Sequence, residues 1–86
     1  DPYPLDMLSS YYQSTNQIEK EISAYKKFLE LDPLNYQMEL LLANAYARKG
    51  EMVNLEESIE RIKALAPKSQ EYLDAQALLI QFQAAP

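Results

Sequence analysis

The stretch LLLANAYARKG, residues 40–50, decides the fold of this chain. Leucine, alanine and tyrosine occupy almost every side of the helix that it would form, and such a helix is normally buried on several sides. Gly50 is the single glycine of the 86-residue chain and stands where the apolar run ends. Glycine adopts the left-handed conformation at a helix C-terminus at little cost. The stretch therefore predicts a buried helix over residues 36–48 that ends at Gly50.

The sequence repeats with a period of 34 residues, which is the separation of Pro33 and Pro67. A shift by this period places apolar residues on apolar residues, small residues on small residues, and Asn16 on Gly50. The matched pairs include Leu8 with Leu42, Ser9 with Ala43, Tyr12 with Tyr46, Tyr25 with Ile59, Phe28 with Ile62, and Leu31 with Leu65. Such a period is typical of helical arrays, in which each helix pair buries its apolar face against the next pair.

Further helices are predicted on both sides of the central one. Apolar residues have the spacing of one helix face from Ile18 to Leu29 and from Leu55 to Leu65, and a shorter helix is expected around residues 5–14. Pro33 and Pro67 end the second helix of each pair, because proline lacks the backbone donor and restricts the residue before it.

Capping residues set the expected starts of two helices. Asn16 and Glu19 have the spacing of a capping box, and Ser69 is the expected cap of a last helix over residues 70–84. No stretch alternates apolar and polar residues with period two. The prediction is an all-α chain of about five helices.

The composition excludes several classes of function. The chain has 13 acidic and 8 basic residues, a net charge of -5, and neither Cys nor His. Zinc sites of the Cys/His type, disulfides and a histidine base are therefore absent, and a single glycine cannot form a phosphate-binding loop. Phosphate backbones and anionic membranes repel an acidic chain. We expect no enzymatic activity, no cofactor, no metal, no nucleic-acid partner and no direct membrane contact.

Two further expectations concern the chain as a whole. No apolar run approaches the length of a membrane span, so we expect a soluble protein, and the sequence does not distinguish a cytoplasmic from a periplasmic location. The chain begins with Asp1 rather than Met, and we expect it to be a piece of a longer protein.

The acidic cluster of Glu56, Glu57 and Glu60 is interpreted as a solvated helix face.

The second repeat carries a recognisable set of residues: Leu42, Ala43, Tyr46, Gly50, Ile59, Ile62 and Pro67. These residues resemble the tetratricopeptide repeat family. The resemblance implies a single domain over residues 1–86, built as a right-handed superhelical stack of antiparallel helix pairs, which is an α-solenoid. Repeat one would span about 2–35, repeat two 36–69, and a final helix 70–84. Glu21 and Leu55 depart from the pattern, because the family prefers alanine at both positions.

The resemblance also implies a function. In this family, the first helix of each pair lines a concave groove that holds an extended peptide or a helix. Carried over by alignment, the groove residues are Asp6, Ser10, Gln13, Gln37, Leu40, Asn44, Arg48, Asp74, Leu78 and Phe82. Asn44 would hydrogen-bond the ligand backbone, or would be a generic polar residue on a helix surface. The chain would be a non-catalytic scaffold for a partner segment that is neutral or basic.

A second hypothesis is a structural spacer or a self-association module of a larger protein. Helix 70–84 is apolar on more than one side, and Leu73, Ala77 and Ile80 match the stripe that should dock on the preceding pair. Tyr72, Ala75 and Leu79 would then face outwards, an excess of apolar surface that a second copy could cover. This pattern predicts a weak homodimer through helix 70–84.

Overall fold

The computed structural model describes residues 17–84, and the regular secondary structure of this part of the chain is all helix, without strands. The helices are α1 (Ile18–Leu31), α2 (Tyr36–Lys49), α3 (Met52–Leu65) and α4 (Gln70–Ala84). The expected helix around residues 5–14 lies outside the described residues. The helix bounds repeat with the predicted period: α1 and α3 begin 34 residues apart, and so do α2 and α4.

Helix α2 is the centre of the described structure, as its apolar sequence predicts. It packs against α1, α3 and α4, whereas α1 contacts α2 alone among the described helices, and α3 also packs on α4. Six residues of α2 are buried, two or more on each turn: Met38, Glu39, Leu42, Ala43, Ala45 and Tyr46. The neighbouring helices complete the apolar core with Ile22, Tyr25, Leu55, Ile59, Ile62 and Ala75.

The turns between the described helices follow the predicted punctuation. α1 and α3 end two residues before Pro33 and Pro67, and the Ser69 hydroxyl accepts a hydrogen bond from the backbone N–H of Tyr72 at 3.1 Å. The capping box predicted for Asn16 and Glu19 stays a prediction, because Asn16 lies outside the described residues. α1 begins at Ile18, and the N–H of Glu21 donates to the carbonyl of Gln17 at 3.0 Å.

Gly50 terminates α2 in the left-handed conformation, with φ of 84°. Its N–H donates to the carbonyl of Ala47 at 3.2 Å, and the N–H of Glu51 donates to the carbonyl of Tyr46 at 3.0 Å. These two bonds form a Schellman motif, which satisfies carbonyls that the helix itself leaves unpaired. The backbone can then reverse and begin α3 at Met52.

The docking face of α4 is the opposite of the predicted one. Ala75 is fully buried, and Tyr72 and Leu79 are half-buried against the core. Leu73 and Ile80 instead remain 58% and 65% exposed. The small side chain of Ala75 lets the axis of α4 approach the other helices closely, whereas the predicted stripe would have placed two bulky side chains at that contact. None of the described helices is both long and apolar enough to span a membrane.

We predict that Gly50→Ala lowers the free energy of unfolding by about 1 kcal/mol. The cost is conformational, because an L-residue is strained at this φ. A Cβ placed on Gly50 would meet no atom within 4 Å, so no steric clash contributes. Urea denaturation of both proteins measures the difference. Gly50→Asn is the matched control, and its free energy of unfolding should fall less, since asparagine tolerates the left-handed region. Equal decreases for the two variants would contradict a conformational cause.

Candidate peptide-binding face

The predicted binding residues of α2 share one side of the helix, opposite the buried side. Gln37 and Arg48 are exposed at its two ends, and Leu40 and Asn44 are half-buried between them. Leu40 packs on the edge of the core. The face therefore combines an apolar strip with amide and guanidinium groups that solvent can reach.

Arg48 is held on this face by a buried carboxylate of the neighbouring helix. Its Nη2 forms an ion pair with Oε1 of Glu21 in α1, and the Glu21 side chain is fully buried. The Nε–H of Arg48 donates to Oδ1 of Asn44 at 2.8 Å. The hydroxyl of Tyr25 also donates to Glu21 Oε1, at 2.8 Å. The four side chains form one network that links α1 to α2.

This network decides which chemical groups remain available to a ligand. Asn44 uses its carbonyl oxygen for Arg48, so its Nδ2 hydrogens are left as donors. Arg48 keeps unused N–H groups, while the nearby Glu21 carboxylate offsets its positive charge. The face therefore presents hydrogen-bond donors with little net charge. Oε2 of Glu21 is the one buried side-chain polar atom without a hydrogen-bond partner in the described part of the chain.

A second arginine–glutamate pair joins α2 to α3. Arg61 donates to the two carboxylate oxygens of Glu39 at 2.9 and 3.3 Å, and to the Ser58 hydroxyl at 3.3 Å. Glu39 is 3% exposed and Ser58 is fully buried. The hydrogen bonds to Glu39 raise the pKa of Arg61 above its ordinary value, against a smaller opposing effect of burial. This pair lies on the core side of α2, away from the candidate face.

The α1–α2 contact also has an exposed charged edge. Lys49 lies 2.9 Å from a carboxylate oxygen of Glu51 and 3.3 Å from one of Glu19. The hydrogen bond to Glu51, followed by the smaller effect of the one to Glu19, raises the pKa of Lys49. The hydrogen bond from Lys49 in turn lowers the pKa of Glu51. Lys26 lies over the Tyr46 ring, 5.8 Å from its centroid. Screening by solvent makes such exposed pairs individually weak.

The predicted binding residues of α4 divide between solvent and core. Asp74 is exposed and accepts a hydrogen bond from Nε2 of Gln70 at 2.9 Å. Leu78 and Phe82 are half-buried and pack against the core. Helices α2 and α4 are in contact, and Leu40 of α2 is likewise half-buried against the core. Asp6, Ser10 and Gln13 lie outside the described residues.

Sequence reasoning missed the two buried glutamates. Glu21 was identified as a departure from alanine, and its apolar neighbours Ile18, Ile22 and Tyr25 placed it on the buried side of α1. A buried carboxylate requires a partner, which is the signal that could have been used. That partner is 27 residues away in Arg48, beyond the reach of helix spacing rules.

The acidic cluster of α3 is a solvated face, as predicted. Glu56, Glu57 and Glu60 are all exposed. Within residues 17–84, no three acidic side chains come together in a way that could hold a metal ion.

No protein-family model, no curated protein and no solved structure matches this chain. Its function must therefore be argued from its own residues. The most specific arrangement among them is the network of Glu21, Tyr25, Asn44 and Arg48, because it combines buried charge with exposed donors.

We predict that Arg48→Met lowers the free energy of unfolding by about 2 kcal/mol, because it leaves the buried Glu21 carboxylate without its cation. The loss falls below that of a fully buried pair, since the Arg48 side chain is 38% exposed. Glu21→Gln removes the charge itself. A double-mutant cycle by urea denaturation should give a coupling energy of about 1 to 2 kcal/mol. If the stability losses of the two single variants sum to that of the double variant within about 0.3 kcal/mol, the ion pair contributes nothing to stability.

Proposed function

We propose that the chain is a non-catalytic, tetratricopeptide-like scaffold that binds an extended segment or a helix of a partner protein. The 34-residue repetition of the helix bounds supports a stack of antiparallel helix pairs, which the proposal extends to a right-handed superhelix. In such a stack, α2 and α4 are the first helices of consecutive pairs. The side of α2 that carries Leu40 and Asn44 and the side of α4 that carries Asp74, Leu78 and Phe82 would then line one groove.

The observation that carries the proposal is the fixed donor set on α2. The bond from Arg48 orients the Asn44 amide so that its Nδ2–H groups remain for a ligand, and the ion pair with Glu21 holds Arg48 in place. Fixed donors lose little conformational freedom when they bind, which favours affinity. Peptide carbonyl oxygens are the acceptors that such donors fit, and an extended segment offers them at regular intervals.

The charge of the site favours a neutral or basic segment. Glu21 compensates Arg48, and Asp74 and Glu71 add negative charge on α4. A carboxylate ligand would need an uncompensated cation with several donors. Leu40, Leu78 and Phe82 would supply apolar contact at the edge of the core. The proposal assigns no reaction, because the buried carboxylates Glu21 and Glu39 are both engaged by arginine.

A peptide-display selection tests the proposal without knowledge of the natural partner. A random library of peptides of about 12 residues would be selected on the immobilised chain, and enriched peptides would be resynthesised for fluorescence anisotropy. Asn44→Ala should weaken their binding about fivefold, the equivalent of one hydrogen bond of about 1 kcal/mol. Gln81→Ala removes an amide from the outer side of α4 and is the matched control, which should bind as the parent does.

Two results would count against this function. One is a selection that enriches no peptide above the background of an unrelated helical protein. The other is a set of peptides whose affinity is the same for the parent chain, for Asn44→Ala and for Asn44→Asp, which would place their site elsewhere. Circular dichroism melts of each variant would exclude loss of folding as the cause of weaker binding.

A further inference from the structure

The outer side of α4 carries an apolar stripe that nothing covers in the described structure. Leu73 and Ile80 lie seven residues apart, two helical turns, and are 58% and 65% exposed, with the exposed Ala77 between them. This stripe points away from Ala75, the fully buried residue through which α4 docks. The three residues Leu73, Ala77 and Ile80 form the outer stripe.

The outer stripe is bordered mostly by amides, with the single charge of Asp74 at one margin. Helix geometry places four glutamines on its two sides, all of them exposed: Gln70, Gln76, Gln81 and Gln83. Of the two acidic residues of α4, Glu71 lies towards the docked side, whereas Asp74 is exposed and accepts a hydrogen bond from the bordering Gln70 at 2.9 Å. The exposed sides of α1 and α3 differ, since they carry Lys20, Lys26, Lys27 and Glu30, or Glu56, Glu57, Glu60 and Lys63.

We propose that the outer stripe is a self-association surface, on which α4 of a second copy docks antiparallel about a two-fold axis through Ala77. The contact would be small and the dimer correspondingly weak, because only a few side chains on each copy take part.

Charge favours a second copy over another kind of protein. The chain has a net charge of -5, so two copies repel wherever their charged faces meet. The outer side of α4 avoids this repulsion. An acidic partner would find no complementary charge there and a basic partner only that of Asp74, whereas a glutamine amide carries both donors and an acceptor and is complementary to itself.

The other exposed apolar side chains of the described residues do not form a comparable stripe. Leu31 and Leu34 lie at the turn between α1 and α2, and Val53 and Leu65 lie at opposite ends of α3 on different sides. Among the described residues, a contact between copies that buries strongly exposed apolar side chains along one helix would therefore use the outer stripe on both of them. The same surface on two subunits defines an isologous contact.

The distribution of residues along α4 favours the antiparallel arrangement. Leu73 and Ile80 lie four and three residues from Ala77, so a two-fold axis there places Leu73 of each copy against Ile80 of the other. The acidic residues Glu71 and Asp74 belong to the first half of α4, and the second half, up to Gln83, carries no charge. Antiparallel docking separates the acidic halves and pairs opposite ends of the helix dipoles.

Sedimentation equilibrium on a concentration series tests self-association. The parent chain should show a rising average mass, and Ile80→Glu should raise the dimer dissociation constant at least about tenfold, because it places a carboxylate in the centre of both halves of the contact. Val53→Glu is the matched control, a similarly exposed apolar residue of α3, and should dimerise as the parent does. A monomeric mass up to about 1 mM, or an equal effect of both variants, would overturn the proposal and leave the outer stripe to another partner.

Disulfide trapping tests the orientation, because the chain contains no cysteine of its own. A mixture of Leu73→Cys and Ile80→Cys chains should form a cross-linked heterodimer on mild oxidation. Leu73→Cys alone should not, since two copies of that residue would lie about 12 Å apart along the axis of an antiparallel pair. Efficient cross-linking of Leu73→Cys to itself, with none in the mixture, would contradict the antiparallel arrangement.

Discussion

The burial of α2 on three sides is the constraint on which the described structure depends. Its core side contributes six of the buried residues, and every other described helix touches it. Two buried glutamates make this packing specific as well as favourable. Glu21 requires Arg48 and Glu39 requires Arg61, so the registers of α1 and α3 against α2 are fixed by charge as well as by shape. A shift of one residue in either contact would leave a carboxylate buried without its cation.

The local features of the chain could be predicted because they depend on residues close in sequence. Three features follow from the preferences of single residues: the left-handed conformation of Gly50, the helix ends two residues before Pro33 and Pro67, and the Ser69 cap. The capping box predicted at the start of α1 involves Asn16, which lies outside the described residues, so it stays a prediction.

The long-range features could not be predicted, for two separate reasons. Helix α4 is apolar on both sides, so its sequence does not say which side docks; the closeness allowed by Ala75 decides, and that depends on the surface it meets. The partner of Glu21 lies on another helix, where no spacing rule applies. Of the candidate face, the positions on α2 could be predicted, but the use of the Asn44 oxygen by Arg48 could not.

The contacts of α1 have a consequence for the way the described structure opens. Among the described helices, α1 rests on α2 alone, whereas α2, α3 and α4 all touch one another. Separation of α1 would therefore leave a three-helix unit with its mutual contacts intact, and it would return the Glu21 carboxylate to water. Amide hydrogens of α1 should then exchange with solvent sooner than those of α2, in an opening that costs less than global unfolding. Arg48 would lose its ion pair with Glu21 in the same event. The hydrogen-bond donors of the α2 face would then lose their fixed orientation whenever α1 separates. The order of that face therefore depends on the packing of a neighbouring helix.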